Sequence, residues 1–473
     1  MAAHRDFSHR LFRDGDRVFA LRFRHRPHAL RRSGDSRIME WFEALGLLVG
    51  SIMFLMALGM PVALAFLAAN IIGAWVFMGG ERGIGALLNN GWGSLTIFAL
   101  VPIPLFLLMG EIFFQTGLGS RMFSAIDKLL GRLPGRLSYV TVLGGTGFST
   151  LSGSSMGSTA LLGSLMVPEM KRRGYKSHMS IGPILGTGGL AIIIPPSALA
   201  VLLATLAKID VGALLIAGVI PGLILAGFYV ATIYLQTRLD PDAAPPYEVD
   251  ALSTGEKFAI LLRDVVPMIG LMVAIVIMMI NGIVTPSEAA AFGALGVLIL
   301  AALYRCLTWD AMKKSVRGAL RVTLMAYLIV FGSATFSQLL AFSGASRGLI
   351  TWATGFDLDP TLMLLVMFGV LLVLGMFMEQ ISIMLLTVPI FFPLAQTLGF
   401  DPIWFGLIML LALEISFTTP PFGLLLFVMK GVAPAGTTMR QIYFAAIPFI
   451  VCSLMVVALL IVFPALATWL PSL

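Results

Sequence analysis

Charge is what this sequence has least of. Only 12% of its 473 residues are Asp, Glu, Lys or Arg, while 58% are hydrophobic. Ordinary soluble domains carry about 25% charged residues, so the chain lacks the polar groups to cover a water-facing surface. That excludes a soluble cytosolic enzyme and a disordered protein. The same poverty excludes a secreted disulfide scaffold; the two cysteines, Cys306 and Cys452, lie far apart, form no CxxC pair and carry no further information. Both read as packing residues. Beyond residue 38 the sole histidine is His178. One imidazole leaves zinc ligation and His-dependent catalysis without their usual groups. No Gly-x-x-x-x-Gly-Lys-Ser/Thr run occurs, so the chain has no P-loop of its own. What remains is an all-α polytopic membrane protein, with a mean hydropathy of +0.96.

The net charge of +7 is concentrated at one end. Residues 1–38 carry ten arginines and four aspartates, a balance of +6, and the other 435 residues carry +1. The segment has no apolar run that could serve as a signal peptide. It reads either as a basic tail for lipid headgroups or RNA, or as an over-called extension with the working start at Met39. The second reading is preferred, and with it no nucleic-acid partner is expected.

A bilayer-spanning helix needs about 20 apolar residues. Apolar segments lie near 41–58, 62–79, 98–116, 137–152, 155–169, 178–207, 211–236, 264–283, 286–304, 322–342, 361–378, 381–398, 402–429 and 441–468. The 137–169 pair turns at Ser152-Gly153-Ser154-Ser155 with no polar loop, so it reads as a re-entrant hairpin. The 361–398 pair does the same at Glu379-Gln380. Pro195-Pro196 interrupts 178–207 and Pro420-Pro421 interrupts 402–429. Proline removes a donor and clashes with the preceding turn. Backbone freed in this way at membrane depth must be buried in protein or line a cavity.

The polar stretch 237–263 divides the chain into repeat 1 (39–236) and repeat 2 (264–473). A shift of 225 residues carries Pro61 onto Pro286, Pro168 onto Pro393, Gly174 onto Gly399 and Pro195-Pro196 onto Pro420-Pro421. Special residues matching at a constant offset imply an internal duplication. With the linker placed in the cytoplasm, 18 bases fall inside and three (Arg82, Lys208, Arg347) outside, as the positive-inside rule demands. The hairpin bases then face opposite sides, so the repeats are inverted. Residue 41 falls outside, and a native ten-arginine tail would have to cross the membrane.

Four constellations stand at membrane depth. Thr150 to Thr159 crowds hydroxyls and glycines at the first hairpin tip, where oxygens suit a hard cation. The free N–H groups of the returning helix suit a carboxylate. Gly186 to Ser197 is a glycine-rich run ending in the double proline. Glu379-Gln380-Ile381-Ser382 and Ser416 to Gly423 occupy the corresponding places in the second half. The plain alternatives are a Ser/Gly packing surface and simple proline kinks. Glu379 and Glu414 are ionisable groups at membrane depth, which are functional by default. Glu414 reads equally well as a carboxyl satisfied by neighbouring hydroxyls or backbone. Glu111 is in an apolar segment without a nameable partner.

At this point the sequence resembles a known family. Gly153-Ser154-Ser155, Val167-Pro168-Glu169-Met170-Lys171-Arg172-Arg173-Gly174-Tyr175, Ile194-Pro195-Pro196-Ser197, Ala217-Gly218-Val219-Ile220-Pro221-Gly222 and Thr419-Pro420-Pro421-Phe422-Gly423 are similar to the large membrane subunit of tripartite ATP-independent periplasmic (TRAP) transporters. Pro183 to Leu190 and Leu425 to Pro434 look most like its mannitol/chloroaromatic branch. Many relatives carry an acidic residue just after the first hairpin's Gly-Ser, where Ser158 stands here.

The resemblance implies an elevator transporter of a bacterial inner membrane, with sodium ions for coupling and no cofactor. It implies a small four-helix membrane subunit and a periplasmic solute-binding protein as partners. The expected cargo is an organic acid or polar solute. The expected first sodium site is Ser152, Gly153, Ser154 and Ser155 with Gly188, Gly189 and Pro195. The expected second is Glu379, Gln380 and Ser382 with Thr418, Thr419 and Pro420. Substrate is expected near Ser155, Ser158 and Ser197. The rivals are a stand-alone sodium/dicarboxylate symporter, a membrane scaffold and a serine hydrolase, the last without a visible base.

Overall fold

The computed structural model describes residues 39–131, 133–246 and 253–472. The extension 1–38, including its ten arginines, lies outside the described residues, as does the acidic middle of the linker. From Trp41 the chain packs as one unit.

All regular structure among the described residues is helical. The first half runs α1 (Trp41–Ala57), α2 (Val62–Phe77), α3 (Glu81–Leu95), α4 (Pro102–Gln115), α5 (Leu118–Leu129), α6 (Arg136–Ser152), α7 (Ser155–Arg172), α8 (Ser177–Ile193), α9 (Ala198–Ala207), α10 (Val211–Ala217) and α11 (Val219–Leu239). The second half runs α12 (Thr254–Ile260), α13 (Val266–Ile280), α14 (Pro286–Leu303), α15 (Trp309–Phe342), α16 (Ala345–Thr354), α17 (Pro360–Gly375), α18 (Gln380–Thr397), α19 (Pro402–Thr418), α20 (Leu424–Val432), α21 (Met439–Val462) and the short α22 (Ala465–Thr468). Among the described residues, seven helices are long and apolar enough to cross a bilayer, eight when the bent pair α8 and α9 counts as one span. The molecule is a multi-pass membrane protein.

The innermost elements are α8 and α19. Every residue of Met179–Ile193 and of Trp404–Thr418 is buried. A helix apolar all round its circumference belongs inside a larger bundle. Around α8 pack α6, α7, α11 and α21, and α19 packs on α8, α17, α18 and α21. Each inner helix stops at its double proline. The chain resumes as α9 after a bend of 46° in the first case and as α20 in the second. A flanking layer is built from α1–α4, α14 and α15.

The hairpin tips are tight. Gly153 ends α6 in the left-handed conformation (φ 62°), which glycine adopts without a Cβ penalty. Ser154 then caps α7, its Oγ accepting the Gly157 N–H at 3.1 Å. In the second hairpin, residues 376–379 join α17 to α18.

The helices α3, α5 and α16 were not among the apolar segments. They are amphipathic: α5 buries Leu118, Met122, Phe123 and Ile126 and exposes Ser120, Ser124 and Lys128. The expected segment 322–342 is the second part of a 34-residue helix, α15, about 51 Å long at 1.5 Å per residue. Its basic first part, with Lys313, Lys314, Arg317 and Arg321, continues the helix because no proline interrupts it. The first half differs here: residues 96–101 separate α3 from α4, which opens on Pro102.

The linker is fastened to the first hairpin's base. Ala243 O accepts the Lys176 N–H at 2.9 Å, and Ala244 O accepts the Gly135 N–H at 3.3 Å. Asp240 pairs with Lys176 at 2.5 Å.

Candidate functional site

Both hairpin tips open onto one cavity of about 310 Å³. Ser152 to Met156 and Glu379 to Ile381 form two walls, α9 supplies Leu199 and Leu202, and α4 and α15 close the far side with Glu111, Val322 and Met325. Glu111 does have partners. Its Oε2 accepts from Gln115 Nε2 at 3.2 Å, and its carboxylate sits over Gly318, where an added Cβ would lie 2.6 Å away.

Behind the tips lies Glu414 of α19, 3% exposed. Its Oε2 accepts Gln380 Nε2 at 3.1 Å and Ser155 Oγ at 3.4 Å. These donors come from the tips of the two hairpins. They are also mates under the 225-residue shift, which carries Ser155 onto Gln380 and Gly189 onto Glu414. Gly189 meets the Glu414 carboxylate so closely that a Cβ there would collide with it. Glu414 Oε1 has no hydrogen-bond partner among the described residues. Beside Glu414 is a void of about 10 Å³, lined also by Thr418 and by Tyr229, whose Oη is 3.1 Å from Ser453 Oγ. Such a volume is close to the minimum for one water-sized guest.

The expected site residues divide into two groups. Ser152, Gly153, Ser154, Ser155, Glu379 and Gln380 face the cavity. Gly188, Gly189, Pro195, Ser382, Thr418, Thr419, Pro420, Ser158 and Ser197 stand off its wall. Ser158 is turned to Ser152, with the two Oγ atoms 2.8 Å apart. Ser197 is the N-cap of α9, accepting the Ala200 N–H at 3.2 Å. Of the three residues expected around substrate, Ser155 alone reaches this cavity.

The two expected ion sites are not laid out as separate sets. Ser155 and Gly189 of the first and Gln380 of the second converge on Glu414, and the Thr418 Oγ1 hydroxyl donates to the Glu414 carbonyl at 3.4 Å. Ser382 donates to Glu379 Oε1 at 3.3 Å, and Thr419 to Ile415 O at 2.6 Å. Two further buried hydroxyls near the first tip, Ser149 Oγ and Thr159 Oγ1, have no hydrogen-bond partner among the described residues. Gly188 gives Thr159 its room, since a Cβ at 188 would lie 2.6 Å from that oxygen. Orphaned buried oxygens of this kind are what a small cation without its own hydration shell can use. Sequence reasoning left Glu414, Ser149 and Thr159 outside its sites. Glu414 was marked as an ionisable group at membrane depth and Thr159 as part of the Thr150–Thr159 hydroxyl run, but neither was assigned to a site, and Ser149 carried no signal.

Residues 49–466 match the family model described as tripartite ATP-independent periplasmic transporter, DctM component. The chain belongs to this family. It is a TRAP large permease subunit, 34% identical over 380 residues to the C4-dicarboxylate TRAP transporter large permease protein DctM of Pseudomonas aeruginosa, covering 79% of this chain and 86% of that one. It is 29% identical to the sialic acid large permease SiaM of Vibrio cholerae, covering 90% and 99%. It is 27% identical to the ectoine large permease TeaC of Halomonas elongata, covering 90% and 99%. These relatives span different solutes, so membership leaves the mannitol/chloroaromatic branch unspecified. The fold is shared with the Alcanivorax borkumensis YdaH transporter, with a TM-score of 0.58 at 13% identity over 90% of this permease and 98% of that chain. All of these relatives are transport proteins, in keeping with a permease that is not an enzyme.

Proposed function

We propose that this permease moves an organic acid or related polar solute across the bacterial inner membrane, coupled to sodium ions. One observation carries the reading: both hairpin tips donate to the single buried carboxylate Glu414, directly behind the cavity they share. An ion held at that junction would tie the two tips together and complete the wall that meets the solute. The carboxylate, the orphaned Ser149 and Thr159 hydroxyls and the tip serines supply the hard oxygen donors a sodium ion needs. The free N–H groups where α7 begins add a positive pole for a carboxylate on the cargo.

The relatives' names, which include a C4-dicarboxylate and a sialic acid permease, support an acidic cargo. Family membership implies a small membrane subunit and a periplasmic binding protein. In this reading the two halves are inverted repeats, the linker lies in the cytoplasm, and the hairpins with α8, α9, α19 and α20 move as an elevator against the flanking helices.

The test is uptake into liposomes holding the permease with both partners. Uptake requires an inward sodium gradient and stops when the binding protein is omitted. Uptake driven by protons regardless of sodium would refute the coupling. Uptake that persists without the binding protein would instead favour the stand-alone sodium/dicarboxylate symporter.

A further inference from the structure

A second cavity, of about 590 Å³ and sharing no lining residue with the first, opens between the base of the first hairpin and the start of α21. Lys171, Lys176 and Arg440 reach it from separate parts of the chain, together with His178. Lys176 is already paired with Asp240, but Lys171 and Arg440 have no ion pair among the described residues. Glu169, a nearby acid, is taken by Arg172 at 2.7 Å and Arg173 at 2.6 Å.

The N-terminus of α8 also faces this cavity. Its N-cap, Lys176, makes no side-chain cap, so the first N–H groups at Ser177 and His178 lack the partner a serine or aspartate would give. A helix start with free N–H groups, set among cations from two other stretches, is matched to a tetrahedral oxyanion. One apolar group in the lining is exposed: Phe444 is 60% exposed beside Arg440, whose guanidinium stands 5.6 Å from its ring. Cations next to an exposed aromatic ring fit an anionic headgroup joined to acyl chains.

We infer that this cavity binds a phosphate-bearing anion, with a phospholipid headgroup as the source that the exposed Phe444 ring beside Arg440 favours. The transport reading does not depend on it. No residue of this cavity lines the one between the hairpin tips.

The experiment uses the full chain in detergent micelles and follows its melting temperature. The probes are dioctanoyl phosphatidylglycerol, dioctanoyl phosphatidylcholine and inorganic pyrophosphate. Phosphatidylglycerol should stabilise saturably, and Lys171→Gln with Arg440→Gln should weaken that response about tenfold or more. Lys313→Gln with Arg321→Gln, on another basic surface, should leave it unchanged. Ser177→Asp places a carboxylate at the start of α8, where it favours the helix. This variant should melt at least as high as the parent and lose the response, which guards against a double variant that fails to fold. A saturable response to phosphatidylglycerol alone assigns a lipid. The same response to pyrophosphate assigns a soluble phosphate. No saturable response to either, or an equal loss in the Lys313/Arg321 control, overturns the site.

Discussion

At the scale of single residues the decisive feature is Glu414. A carboxylate inside a protein is tolerated only when hydrogen-bonded, paired or neutralised. Here one oxygen is served by Ser155 and Gln380, and the other has no hydrogen-bond partner among the described residues. Glu414→Gln keeps the shape and removes the charge. If this group holds the coupling ion, uptake should fall about tenfold or more, the loss expected when a contact to a charged group worth about 1.5–3 kcal/mol is removed. The melting temperature should stay level or rise, because a buried charge costs desolvation. Normal sodium-dependent uptake by this variant would remove Glu414 from the coupling machinery. Gly189→Ala pushes a methyl into the Glu414 carboxylate. Overpacking of this kind costs about 1–3 kcal/mol. The double variant Gly189→Ala with Glu414→Ala should recover part of that loss, since contacting residues are not additive. Simple addition of the two losses in thermal melts would mean that they do not touch.

At the scale of elements, the hairpin tip depends on a cap. Ser154 is both an expected ion ligand and the N-cap of α7. Ser154→Ala should cost about 1 kcal/mol of stability through the cap alone, whereas Ser154→Asn should keep the cap and the melting temperature. If sodium affinity drops in the alanine variant and returns in the asparagine variant, the cap accounts for the effect. Loss of sodium affinity in both would point to the hydroxyl as a ligand. A second element-level lock holds α5 to the stretch preceding α13. Arg121 pairs with Asp264 at 2.6 Å and lies 4.3 Å from the ring centroid of Tyr304. Arg121→Ala should lower stability by about 1 kcal/mol, and a melting curve unchanged within error would show the pair to be inert.

At the scale of the whole molecule, the sidedness of charge makes a prediction that does not depend on sodium. With Cys306 and Cys452 replaced, a cysteine at Asp242 should react with an impermeant thiol reagent in inside-out vesicles alone. One at Lys208 should react in right-side-out vesicles. The reverse pattern would invert the proposed topology.

Much of the architecture could be read from the chain itself, because the forces responsible are local. Proline lacks an N–H wherever it stands, so the breaks after Ile193 and Thr418 fall at the double prolines. Glycine at 153 permits the left-handed turn, and charge poverty requires a membrane protein. The amphipathic helices α3, α5 and α16 and the basic start of α15 were not legible as segments. Their burial is one-sided and is set by neighbours distant in sequence.

The site divides in the same way. Tip residues Ser152 to Ser155, Glu379 and Gln380 could be placed together at the cavity from sequence because a hairpin tip is a local event. Ser158 and Ser197 stand off the cavity because each hydroxyl is engaged, one by Ser152 and the other by the Ala200 N–H, and hydrogen-bond partners are a matter of packing. That Glu414 joins both tips could not be read from sequence. Its two donors stand 259 and 34 residues away along the chain, and only the folded bundle sets them on one carboxylate oxygen.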